Sequence, residues 1–183
     1  MAITLEPAAP LDGDVLLPLD DAKAYLRVEG GDEDALIGAL RDAAIDWVER
    51  HTGRALVRRA FVWTASRFAT PLRLTIEPIV SVDGVGYRGS DGVSVSLDAA
   101  GWRLAGRELY AGVGASWPLA LAGEGAVRVT LTAGYEDGGV PPALVSAVKL
   151  MLGHLYRNRE TAVTDAPMAA EVLCAAYRVP VIG

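Results

Sequence analysis

The residues of this 183-residue chain that invite a chemical reading are two histidines, one cysteine and a cluster of glycines. His51 and His154 fall in separate helical stretches, and neither has a metal-type partner four residues on. No HExxH pair or GxSxG nucleophile turn is present. His51 lies in a last helical turn, where an imidazolium favours the helix dipole. His154 lies on an apolar face and reads as a buried, hydrogen-bonded ring. Gly84-Val85-Gly86-Tyr87-Arg88-Gly89 matches GxGxxG literally, but that fingerprint needs a helix to start at the glycines and point its N-terminus at phosphate. Asp91-Gly92 and another strand follow instead, which makes this turn chemistry. Cys174 has no histidine or basic activator beside it and reads as a packing residue. A single cysteine also excludes an intrachain disulfide and a cysteine-rich zinc site. The expectation is therefore no catalytic residue, no metal, no cofactor and no enzyme.

Charge adds a second exclusion. The net charge is -6, and residues 20 to 50 carry nine carboxylates against four cations. Phosphate binding needs clustered Lys and Arg, so DNA near this chain is not expected to be gripped. Asp32-Glu33-Asp34 runs straight into helix and lacks the alternating ligands and glycine of a calcium loop; acidic residues suit a helix N-terminus. Arg54, Arg58 and Arg59 read as a solvated strand entry. Trp47, Trp63, Trp102 and Trp117 are spaced as core or interface anchors. The N-terminal residues lack the pattern of a secretion signal, and no run is long enough for a membrane span.

The elements that would position these residues follow from periodicity. Residues 1–18 read as an extended N-terminal arm. Asp20 is expected to cap a short helix from Asp21 to about Val28, closed by Gly30-Gly31. Asp32 is expected to cap a longer one ending at Gly53. The core stripe of that second helix is Leu36, Ile37, Leu40, Ala43, Ala44, Trp47 and Val48, with Ile45 on the charged face. From Ala60 the pattern alternates, giving strands at 61–68, 72–76, 79–87, 93–97, 102–104, 108–110 and 127–132, with Asp91-Gly92 as a hairpin turn. Pro141-Pro142 opens a third helix running to about Arg159, and a short one follows from Met168 to about Tyr177. The apolar residues of the third helix span an arc of about 240°, where one core needs only about 100°. Such a helix is surrounded. The fold class is α+β: a helical bundle of two N-terminal helices with one long and one short C-terminal helix, and an antiparallel β insertion. A single domain, 19–183, holds helices within 20–53 and 141–177 and the insertion at 60–135.

Six stretches carry a family resemblance. Pro18-Leu19-Asp20-Asp21-Ala22-Lys23-Ala24-Tyr25-Leu26-Arg27-Val28, Asp32-Glu33-Asp34-Ala35-Leu36-Ile37 and the run from Trp47 to Leu56 resemble the head-tail connector proteins of long-tailed bacteriophages and related gene transfer particles. Thr132-Ala133-Gly134-Tyr135, Val140-Pro141-Pro142-Ala143-Leu144 and the run from His154 to Glu160 are similar to the same family.

The resemblance implies a structural virion protein, a head-completion adaptor assembled in the bacterial cytoplasm and resident in the particle neck. It would form a ring of about twelve copies beneath the portal and link the DNA-filled head to the stopper and tail. DNA would pass through without being specifically bound. The partners implied are the portal protein, the stopper or tail-completion protein, and other copies of the chain, with no membrane. Read with the residues, this assigns portal binding to Leu173, Tyr177, Val179, Val181 and Ile182. It assigns subunit contacts to Leu144, Val148, Leu150, Met151, Leu155 and Tyr156. It also assigns an acidic channel wall to Asp32, Glu33, Asp34, Asp42, Asp46 and Glu49. The alternatives are a stopper or tail-completion protein, and a small-ligand-binding or enzymatic α+β domain.

Overall fold

The computed structural model describes residues 2–158 and 166–180. The chain divides into two compact units, a β unit of residues 1–10 and 58–134 and a helical unit of residues 11–57 and 135–183. With four α-helices and two antiparallel sheets among the described residues, the α+β class is borne out.

The β unit opens with β1 (Ile3–Pro7), inside the stretch that reads from sequence as an arm. It pairs antiparallel with β2 (Arg59–Ala65) and so becomes the edge of a five-stranded sheet. β3 (Leu72–Arg73), β4 (Ile79–Arg88), β5 (Ser94–Ser96), β6 (Trp102–Ala105), β7 (Glu108–Ala111) and β8 (Val127–Ala133) follow. The large sheet has the order β1-β2-β8-β4-β5 and the small one β3-β7-β6. Strict alternation explains the central strands. In β8, Val127, Val129, Leu131 and Ala133 are buried while Arg128 is exposed, and β2 buries Phe61, Trp63 and Ala65 in the same way. Gly84 and Gly86 lie within β4, where they pair with Thr130 and Arg128, beside a register shift between Val82 and Gly84. No helix starts there, but the motif is not a turn either: it runs along β4 as far as Arg88, and only Gly89 lies beyond the strand. Gly92, at φ 81°, closes the hairpin between β4 and β5.

In the helical unit, α1 (Leu19–Leu26) starts two residues before the Asp21 expected from an Asp20 cap. The cap comes from outside: Asp14 accepts the Leu19 N–H at 2.9 Å. α1 ends at Arg27, which takes a left-handed φ of 59° before either glycine is reached. α2 (Asp34–Thr52) has no side-chain cap from Asp32, but Gly53 stops it at φ 72° as expected. Its buried stripe is rotated from the sequence reading. Ile45 is fully buried, whereas Leu36 is exposed, because Arg41 and Glu49 turn inward and carry their helix face with them.

α3 (Pro142–Arg157) is the centre of this unit, and α4 (Met168–Ala175) packs beside it. Leu144, Ala147, Val148, Met151 and Leu152 share one core with Ala22 of α1, Ile37, Ala44, Ile45 and Val48 of α2, and Ala170 and Cys174 of α4. Gly153 is buried on α3, where a Cβ would make ordinary contact with the Tyr25 ring at 3.4 Å. The wide apolar arc is thus covered by three helices of the same chain.

Candidate assembly interface

That coverage buries part of the expected subunit interface within the chain itself. Leu144 and Val148 are fully buried and Met151 is 4% exposed, all in the helical unit's own core. The sequence showed that α3 is surrounded but not by what. Leu150, Leu155 and Tyr156 are half-buried against the same core.

Most carboxylates of the expected acidic wall have partners within the helical unit. Glu49 is 8% exposed, and its Oε1 accepts the backbone N–H groups of Leu56 and Val57 at 2.7 and 3.4 Å, fixing the turn after α2. Such a carboxylate cannot line a channel. Asp42 accepts from Arg41 Nε at 2.9 Å, and Arg41 Nη1 donates to Asp14 at 2.5 Å and to the Leu17 carbonyl at 3.3 Å. Burial opposes the Arg41 charge, but the hydrogen bonds to Asp42 and Asp14 outweigh it and raise its pKa. Gly13 sits against this cluster, and a Cβ there would fall 2.0 Å from Asp42 Oδ1. Asp34 pairs with Lys23 at 2.6 Å, Asp46 pairs with Arg50, and Tyr156 OH donates to Glu33. Asp32 alone of the six is exposed.

At the C-terminal end, Leu173 and Tyr177 pack against the helical core rather than away from it. The Val179 N–H donates to the Thr52 carbonyl at 2.7 Å, and Arg54 Nε donates to the Tyr177 carbonyl at 2.7 Å. Arg54 is therefore a structural tie. Val181 and Ile182 lie outside the described residues. The outward side of α4 was missed: Met168 is 78% and Val172 67% exposed, one helical turn apart. Their i, i+4 spacing was visible in the sequence, but Glu171 is the only polar residue of α4, so spacing alone does not say which apolar residues are inside. Cys174 is fully buried, and burial together with the nearby Glu171 pushes its thiol up to about 11.

The remaining polar candidates stay apart. His51 stacks on Trp47 at 4.7 Å, and His154 Nδ1 lies 3.3 Å from Asn158 Nδ2. Among the described residues no group of three or more His, Cys, Asp or Glu side chains is placed to hold a metal. Nor is any helix among the described residues long and apolar enough to cross a membrane.

The β unit carries the other exposed groups. Residues 112–125 form a glycine-rich loop pinned by Trp117, which stacks on Phe68 at 4.7 Å and donates from Nε1 to the Ala69 carbonyl at 2.9 Å. Val113 and Leu119 project from it, 94% and 86% exposed. On the small sheet, Arg73 donates to Glu108 at 3.2 Å, Tyr110 OH donates to Glu108 at 2.5 Å, and the Arg103 guanidinium lies 4.5 Å over the Tyr110 ring. The hydrogen bond from Tyr110 and the nearby Arg73 and Arg107 hold the Glu108 carboxyl below its ordinary range.

No family model and no curated protein matches the chain. Solved structures do. A chain from the neck of an empty gene transfer agent particle, computed with C6 symmetry, is 29% identical with a TM-score of 0.79, covering 98% of both chains. A chain from the neck of the native particle with C12 symmetry is 28% identical at a TM-score of 0.77, again covering 98% of both. A chain from the virion of the native particle is 27% identical at 0.76, over 98% of this chain and 97% of that one. Over nearly its whole length the chain shares its fold with neck components of gene transfer agent particles, and the likeness to head-tail connectors that its sequence carries is borne out.

Proposed function

We propose that this chain is the ring-forming adaptor of a phage-like particle neck, seated below the portal and linking the head to the stopper and tail around a DNA channel. The observation that carries the reading is the two-sided match, 98% of each chain, to a neck component. Symmetry supports the ring: the neck structures were computed with C6 and C12 symmetry, so each of their components recurs about an axis. The role is structural, and DNA passes through without specific contacts, in keeping with a net charge of -6.

Within this reading, portal contact belongs to the outward side of α4 and the segment after it. Met168 and Val172 join Val179, Val181 and Ile182, while Leu173 and Tyr177 hold that segment on the helical unit. Leu150, Leu155 and Tyr156 remain as the half-buried residues of α3 available to neighbours. Asp32 is exposed, whereas Asp34, Asp42 and Asp46 are paired with Lys23, Arg41 and Arg50, and it is the one proposed to face the channel. A chain carrying M168D/V172D tests the portal contact, because both side chains are exposed and their replacement leaves the core intact. Cosedimentation with the particle's own portal protein should be lost while the far-ultraviolet spectrum is unchanged. Undiminished cosedimentation would refute the assignment.

A further inference from the structure

The charges of the two units differ in kind. The β unit holds eight arginines and no lysine against seven carboxylates, while the helical unit holds nine cations against sixteen carboxylates. The chain's entire negative excess therefore lies in the helical unit. On the small sheet the arginines converge. Arg73 in β3 stands beside Glu108 in β7, and Arg103 in β6 is paired with Tyr110 in β7. Arg107 follows Gly106, whose φ of 60° makes the tight turn between β6 and β7. Three guanidiniums thus share a neighbourhood with one carboxylate. Arg73 and Arg103 are exposed, and their orientations are already set by Glu108 and by the Tyr110 ring. A shallow cleft of about 510 Å³ opens beside them, lined by Thr70, Arg103, Tyr110 and residues 111–115.

We propose that this arginine face is a subunit interface that receives the carboxylate-rich helical unit of a second copy of the chain. The inference rests on the ring reading above and adds the contact that closes the ring. Three arguments favour a second copy over nucleic acid. A cyclic ring needs two different, complementary faces on each subunit, and the chain carries both signs on separate units. Two arginine faces repel each other, so the patch disfavours a twofold dimer and favours head-to-tail contact. The basic residues of the β unit are all arginine, which is enriched at protein interfaces where lysine is depleted, and eight arginines against seven carboxylates give the unit none of the basic excess that phosphate binding uses. Side chains already held in place lose less freedom on docking.

The test is R73E/R103E in the full-length chain, with R73A/R103A as a second variant that removes charge without introducing any. Two readouts apply: sedimentation velocity of the chain alone across a salt series from about 0.05 to about 0.5 M, and electron microscopy of the chain mixed with its portal protein. The expected result is that the wild type associates or forms portal-bound rings, that salt weakens the association, and that both variants weaken it at least about tenfold while bound subunits no longer close a ring. Wild-type rings that the variants form equally well would overturn the interface and leave the ring reading standing. A wild type that forms no rings on portal would overturn both. Binding of a 30-base-pair duplex, measured by fluorescence anisotropy and lost in both variants, would assign the face to nucleic acid and overturn the proposal.

Discussion

The two units of this chain solve the problem of burial differently. The helical unit wraps three helices around α3, brings Arg41 and Glu49 into its interior with dedicated partners, and leaves carboxylates on its surface. The β unit buries alternate residues of its strands and leaves out a pinned apolar loop and a row of ordered arginines. The comparison teaches that an apolar helix is poor evidence for a protein partner. α3 has the widest apolar face in the chain and is satisfied within its own unit, while the surfaces that look unfinished are on α4 and in the β unit.

The largest effect that would break this contrast is in the core of α3. Leu144→Ala should destabilise the isolated chain by about 2–5 kcal/mol, read as a lower denaturation midpoint in urea. If other chains buried this helix, the substitution would leave the isolated chain's midpoint where it was. Glu49→Ala leaves two buried N–H groups without their acceptor and should cost about 2–3 kcal/mol. A channel-lining carboxylate would cost nothing measurable.

Cys174 sharpens the same point through pH. Burial raises its thiol from an ordinary 9.0 to about 11, so the folded state holds the proton more tightly than the unfolded chain. Its contribution is fully present below pH 9 and is lost as pH rises toward about 11. On the order of 2 kcal/mol should disappear across that window, and C174A should flatten the curve there. The smallest effect comes from a pair of glycines. Gly38→Ala, in α2 with nothing within 4 Å of a Cβ, should raise stability by about 0.5–1 kcal/mol. Gly13→Ala should lower it, because its Cβ meets Asp42 and Arg41. Thermal melts of the two variants should move in opposite directions.

Strand content was legible because alternation is a local signal: all seven expected strands between residues 59 and 133 exist, with shifted ends. β1 was not, because Ile3-Thr4-Leu5-Glu6-Pro7 is short and its partner lies some sixty residues away, so nothing nearby marks it as a strand. The α2 stripe was misread for a different reason. Hydrophobic periodicity assigns charged residues to solvent, and Arg41 and Glu49 are buried by virtue of partners, Asp14 and the Leu56 and Val57 N–H groups, that no helical wheel displays. The candidate surfaces were least legible. Apolar width indicates that a helix is covered, but tertiary structure alone tells whether its own chain or another covers it, and the convergence of Arg73, Arg103 and Arg107 depends on strand pairing across three separate segments.

Electron microscopy of the purified chain bound to its portal protein tests the central claim most directly. The account predicts a closed ring of this chain below the portal, with the twelvefold symmetry of the native neck it resembles. A chain that leaves the portal bare and instead caps the tail tube would contradict it.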